Sequence, residues 1–178
     1  MTTQEQRAHT ARHLAAHAVF ALRAGFRIER LALNTTSHPH GGIVCDWKQG
    51  RAAYGDDTKL INRSFAFAYI GGIIDQEHPC DLCDEIQVEI KADMEASEDS
   101  RETAVAWRLA DSVQDTNSFA HVGYKLASRL IRKDKLLIDD LGFLLTQAES
   151  LDEASLLKWF RENASLYSLD ELETTNTY

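Results

Sequence analysis

Apolar residues recur at helical spacing from the start of the chain. Leu14, Ala18, Ala21 and Leu22 form one stripe in an alanine-rich stretch, which predicts a helix over 3–25 with Gly25 as its C-cap. Arg27-Ile28-Glu29-Arg30-Leu31 then alternates polar and apolar, the period of a half-buried strand over 27–33. A loop with Pro39 and Gly41-Gly42 follows, and Ile43 to Trp47 reads as a second strand, antiparallel to the first. Asp57 opens a second helix over 58–76 that carries Leu60, Ile61, Phe65, Phe67, Ile70 and Ile73. Gly71-Gly72 lies inside it. A glycine pair costs a helix about 2 kcal/mol against alanine, so the pair predicts close approach of another backbone. Residues 78–83 read as a loop, and 85–94 fit strand and helix equally. A helix opens at Ser97 or Ser100 and runs through Val113. Helices are predicted over 118–131, 134–148 and 152–164, the last opened by a Ser150–Glu153 capping box. The last dozen residues are polar and read as a frayed end. The pattern as a whole predicts an α+β fold, mostly helical, with a small antiparallel sheet beside the first helix. It forms a single domain, with a core over about 8–113, a helical part over about 117–165 and a tail to 178.

Composition narrows the partners. The chain has 178 residues, 44% hydrophobic and 26% charged, with a net charge of −9. So acidic a chain is a poor grip for a phosphate backbone, and nucleic acid is not expected as a general partner. No apolar run approaches the roughly 18–20 residues that span a bilayer. The first residues lack the basic-then-apolar pattern of a signal peptide. Three cysteines, an odd number, suit a reducing compartment rather than a disulfide framework, so a cytoplasmic protein is expected.

Chemistry concentrates in His13-Leu14-Ala15-Ala16-His17. Histidines four apart stand one turn apart on one face of a helix, the geometry with which a helix grips zinc. In the zinc-peptidase motif His-Glu-x-x-His, the residue after the first histidine is the general-base glutamate. Here it is Leu14. His9 stands one further turn back. It cannot share an ion with both others, because positions eight apart on a helix are about 12 Å apart along the axis. The pair is therefore His13/His17 or His9/His13. The competing reading is three histidines on the polar face of an alanine-rich helix.

The run Thr10-Ala-x-His-x-Ala-x-His-Ala-Val-x-Ala, followed by Gly25 and two strands, resembles the peptidase domain of FtsH-type zinc metallopeptidases. Ala68-Tyr-Ile-Gly71-Gly72-Ile-Ile-Asp-Gln-Glu77 is similar to that family's Gly-Gly-x-x-Ala-Glu helix. Arg101-Glu102-Thr-Ala-Val-Ala106-Trp-Arg-Leu109-Ala110 is similar to the helix carrying its third, aspartate ligand. The resemblance covers about residues 8–113. It implies a zinc site of His13, His17 and Glu102, with His13/His17 as the chelating pair. It also implies an edge strand, here Gly42, Ile43 and Val44, that takes an extended peptide by β-addition.

The departures imply the loss of one function and the survival of another. Leu14 stands at the glutamate, Ala16 at the motif glycine, Gln76 at the first glutamate of the Gly-Gly helix, and Glu102 at the aspartate. No Gly-x-x-x-x-Gly-Lys-Ser/Thr loop is present, so the resemblance is to a peptidase domain without its ATPase unit. The expected function is a degenerate zinc peptidase domain that binds a protein or peptide without cutting it. One alternative is an active peptidase with a displaced base, for which Asp75, Glu77 and Glu98 qualify by composition alone. Another is a metal-free acidic regulator. Cys80 and Cys83, with His78 and Cys45, are candidates for a structural zinc. A deaminase also carries Pro-Cys-x-x-Cys but needs a His-x-Glu or Cys-x-Glu upstream, and none precedes. The leucines of the C-terminal helices read first as core and second as a homo-oligomer surface.

Overall fold

The computed structural model describes residues 3–33, 42–46, 57–77 and 116–174. Helix α1 (Thr3–Arg23) is its centre. Every residue from Leu14 to Ala21 is buried, so this part of the helix is covered on all sides rather than along one stripe. Alanine makes that possible, since small side chains let neighbours close in around a helix. α1 ends in a Schellman turn. Gly25 has φ 74°, Phe26 N–H donates to Ala21 O at 2.8 Å, and Gly25 N–H donates to Leu22 O at 3.2 Å. Only glycine adopts that φ at no steric cost. Phe26 packs into the core directly after it.

The turn delivers the chain into β1 (Arg27–Ala32), which pairs antiparallel with β2 (Gly42–Asp46). The register shifts between Ile28 and Arg30, a bulge that breaks the strict alternation of exposed and buried positions. The other edge of β1 pairs antiparallel with β3 (Ser150–Asp152), giving the order β2-β1-β3. The third strand is not foreseen by sequence pattern. Its three residues are too few to show a period.

Among the described residues, four further long helices surround α1 and the sheet. α2 (Asp57–Glu77) and α4 (Lys135–Ala148) pack on α1, and α3 (Thr116–Lys133) packs on α2. α5 (Glu153–Asn163) follows β3, with Leu156 buried in the common core. Its cap is Asp152, whose carboxylate accepts from Ser155 N–H at 2.8 Å, and not the predicted Ser150, which belongs to β3. The predicted frayed end is also corrected in part. Leu169–Thr174 forms a short helix, α6, with Leu169 and Leu172 buried. Arg63 of α2 reaches Asp170 and Glu173 on it, at 2.7 and 3.0 Å.

The architecture is therefore α+β, mostly helical, with a three-stranded antiparallel sheet. The elements predicted between residues 78 and 115 lie outside the described residues. Among the described residues, no helix is long and apolar enough to cross a membrane.

Candidate metal centre

His9, His13 and His17 occupy one row of α1 because they are spaced by four. Phe67, Gly71 and Asp75 occupy one row of α2 for the same reason. The rows run antiparallel and interlock. His17 meets Phe67, both His13 and His17 meet Gly71, and both His13 and His9 meet Asp75. The interhelical seam thus grades from an aromatic end, through a notch, to an acidic end.

The notch is Gly71. A Cβ at this position would lie 2.6 Å from His13 Nε2 and 2.8 Å from His17 Nε2, with His13 Cε1 closer still at 2.3 Å. Two ring nitrogens from successive turns therefore converge on one point. The imidazole centroids are 4.9 Å apart and tilted by 37°. The glycine pair was expected to admit a backbone, but Gly71 admits two imidazoles and Gly72 has nothing within 4 Å among the described residues. Close backbone approach occurs elsewhere. A Cβ at Gly123 of α3 would lie 2.9 Å from Ala66 N of α2.

The histidines are not surface decoration. His17 is 1% exposed and packs edge-on to Phe67, with centroids 4.6 Å apart. The side chains of His9 and His13 keep 21% and 22% exposure, at the acidic end of the seam. There, Asp75 Oδ1 stands 3.1 Å from His13 Nδ1 and 3.4 Å from His9 Nε2. Burial by itself pushes the Asp75 carboxyl up. The charge and hydrogen bond of His13, with the charges of His9 and His17, outweigh it and hold the group below the ordinary carboxylate value. An ionised carboxylate only accepts hydrogen bonds, so His13 Nδ1–H is the donor. In the neutral ring this leaves Nε2 bare, with its lone pair on the side of Gly71 and His17. A bare imidazole nitrogen is what a zinc ion takes, so the two donors suit an ion held beside Gly71, where both rings pack.

Leu14 is buried at 7% exposure and belongs to the hydrophobic core. Its position carries no group able to move a proton. Glu102, Cys80 and Cys83 lie outside the described residues, and among the described residues no group of three His, Cys, Asp or Glu forms a complete metal site. Cys45 sits in β2 opposite Ile28. Gly42, Ile43 and Val44 do fall on β2, an outer strand of the sheet order. Sequence reasoning named Asp75 only as one of three replacement bases and assigned Phe67 no role. The available signal was spacing: 67, 71 and 75 are four apart on a helix already predicted. No protein-family model matches the chain, and no curated protein does.

Proposed function

We propose that the chain is a degenerate FtsH-like zinc peptidase domain that retains its metal and acts by binding a protein or peptide, in the cytoplasm. The observation that carries the reading is the notch, where Gly71 makes room for the Nε2 atoms of His13 and His17 side by side. Glycine in the middle of a helix is destabilising by roughly 0.5–1 kcal/mol. Its presence facing two imidazoles calls for a reason, and a shared ion is a sufficient one. His13 and His17 would hold zinc, with Glu102 as the acidic third ligand. Bound there, zinc supplies a Lewis acid.

The same seam argues against peptide cleavage. Hydrolysis needs a proton acceptor beside the site, worth about 10²–10⁴-fold in rate. Leu14 is apolar and turned into the core. Asp75 meets the Nδ1 side of His13, away from the notch, so it supports the ring rather than replacing the missing base. What remains is a binding device. Among the described residues β2 is an outer strand, and such an edge suits an extended peptide laid alongside Gly42, Ile43 and Val44.

Two measurements test the reading. Calorimetric titration of the chain with zinc is expected to give one site, lost in His13→Ala. A casein digest, run with and without chelator, is expected to show no cleavage in either arm. Absence of His13-dependent zinc binding would leave the metal-free regulator, whose melting temperature does not respond to chelator. Chelator-sensitive cleavage would instead establish an active peptidase with a displaced base.

A further inference from the structure

His13 and His17 converge on Gly71, but nitrogens at the right place bind a metal well only when each ring presents a lone pair there. For His17, orientation comes from packing. The ring is buried and wedged against Phe67, which itself packs on Phe20 with centroids 6.2 Å apart. His13 stands further out and keeps about a fifth of its exposure. Something else has to fix both its ring angle and its proton. A contact able to do so is the one from Asp75 Oδ1 to His13 Nδ1 at 3.1 Å.

We infer that Asp75 is a positioning residue for the metal site. It accepts the Nδ1–H of His13, so that Nε2 is the bare nitrogen and faces His17 across the Gly71 notch. This rests on the metal reading above and extends it to a residue outside the ligand set. His9 completes the arrangement. Its Nε2 stands 3.4 Å from the same carboxylate oxygen. The row His9–Asp75–His13–His17 is then one chain of support running inward, from a partly exposed imidazole to the buried one.

Helix geometry explains why the acid is at 75. Positions 71 and 75 are four apart and share a face, whereas 76 is rotated away from Gly71. The resemblance placed the acid of this helix at Gln76, where it is missing. The acid that faces the histidines stands one residue earlier, on the row that interlocks with α1. Its oxygen stands 3.1 Å from His13 Nδ1, and a carboxylate oxygen accepts, so the contact selects the Nδ1–H tautomer of neutral His13.

Outer partners of metal-bound histidines typically change affinity by 10–100-fold when removed. The experiment compares the unmodified chain with Asp75→Ala, Asp75→Asn and His9→Ala. The first readout is the tautomer of His13 by ¹⁵N NMR of histidine-labelled, metal-free protein. The second is zinc affinity by competition with a chromophoric chelator. The unmodified chain is expected to show His13 protonated at Nδ1. Asp75→Ala is expected to move that proton toward Nε2 and to weaken zinc about 10–100-fold. Asp75→Asn keeps an oxygen that can accept from Nδ1–H, so it should restore the tautomer and most of the affinity. His9→Ala should lower affinity by less than Asp75→Ala does. A residue that merely held the fold would change stability without moving the tautomer. If the unmodified chain binds zinc and Asp75→Ala binds it equally well, with His13 still protonated at Nδ1, the assignment of Asp75 is overturned while the metal reading stands. If the unmodified chain takes no zinc, the metal reading itself fails.

Discussion

Replacing Gly71 by alanine tests the notch with a single methyl group. The added carbon would stand 2.3 Å from His13 Cε1, 2.6 Å from His13 Nε2 and 2.8 Å from His17 Nε2, all inside contact distance. Neither ring yields without loss. His17 is fully buried against Phe67, and swinging His13 away breaks its hydrogen bond to Asp75. Overpacking costs about 1–3 kcal/mol, and a hydrogen bond to a charged group about 1.5–3 kcal/mol. Alanine returns about 1 kcal/mol as the better helix former. The net expectation is a loss of roughly 2–4 kcal/mol. For a chain of this size that lowers the melting temperature by roughly 5–15 °C. Gly72→Ala is the internal control. It adds the same methyl to the next residue of the same helix, where nothing lies within 4 Å, and should raise stability by about 1 kcal/mol. Thermal and urea unfolding of both variants, followed by zinc titration, reads the difference. Gly71→Ala should also weaken zinc at least about tenfold, because the two nitrogens can no longer share one point. If Gly71→Ala is as stable as Gly72→Ala and binds zinc like the unmodified chain, the interlocked rows are wrongly assigned.

Three further outcomes follow from other parts of the fold. Arg23 and Asp134 form a buried two-point ion pair at 2.9 and 3.0 Å, and the Tyr167 hydroxyl donates to the same carboxylate at 2.6 Å. Arg23→Ala strands that carboxylate and should cost about 3–5 kcal/mol in urea unfolding. Burial first, and then the Asp134 carboxylate, push the Tyr167 phenol above its ordinary value of 10.0. The folded state therefore holds this proton more tightly than the unfolded state does. Its contribution is complete below about pH 10 and fades as the pH rises further, and Tyr167→Phe should flatten that alkaline decline in a pH series of melting temperatures. Leu136 and Phe143 stand one above the other on α4 with 79% and 70% exposure. Changing both to serine should alter stability by less than about 0.5 kcal/mol. A shift toward smaller species in sedimentation would identify this face as the self-association surface, and no shift would remove it from consideration.

The long helices among the described residues were legible because their apolar residues recur over many turns, and the two longer strands because of alternation and flanking glycines. Burial of the histidines was not. Alanine-rich sequence around His13 and His17 looks the same whether the helix lies at the surface or at the centre, and only the packing of α2 and α4 decides it. The pairing of His13 with Asp75 spans 62 positions. Spacing within each helix was readable, but which row of α2 faces α1 was not. The glycine pair gave a correct signal of close approach and an incorrect occupant, since sequence does not distinguish a backbone from an imidazole. β3 and the Asp152 cap were missed together, because the bond from Leu33 N–H to Glu149 O and the pairing of β1 with β3 are long-range contacts that define where α5 starts. The contact of Asp75 with His13 came from geometry alone.

The central claim is that His13 and His17 share one metal ion beside Gly71. Zinc-edge X-ray absorption of the zinc-loaded chain tests it most directly. The account predicts a nitrogen and oxygen shell at about 2.0–2.1 Å with the outer-shell signature of two imidazoles, and no zinc retained by the His13→Ala/His17→Ala double variant. A sulfur shell at about 2.3 Å, pointing to Cys80 and Cys83, or an unchanged spectrum in the double variant, would contradict it.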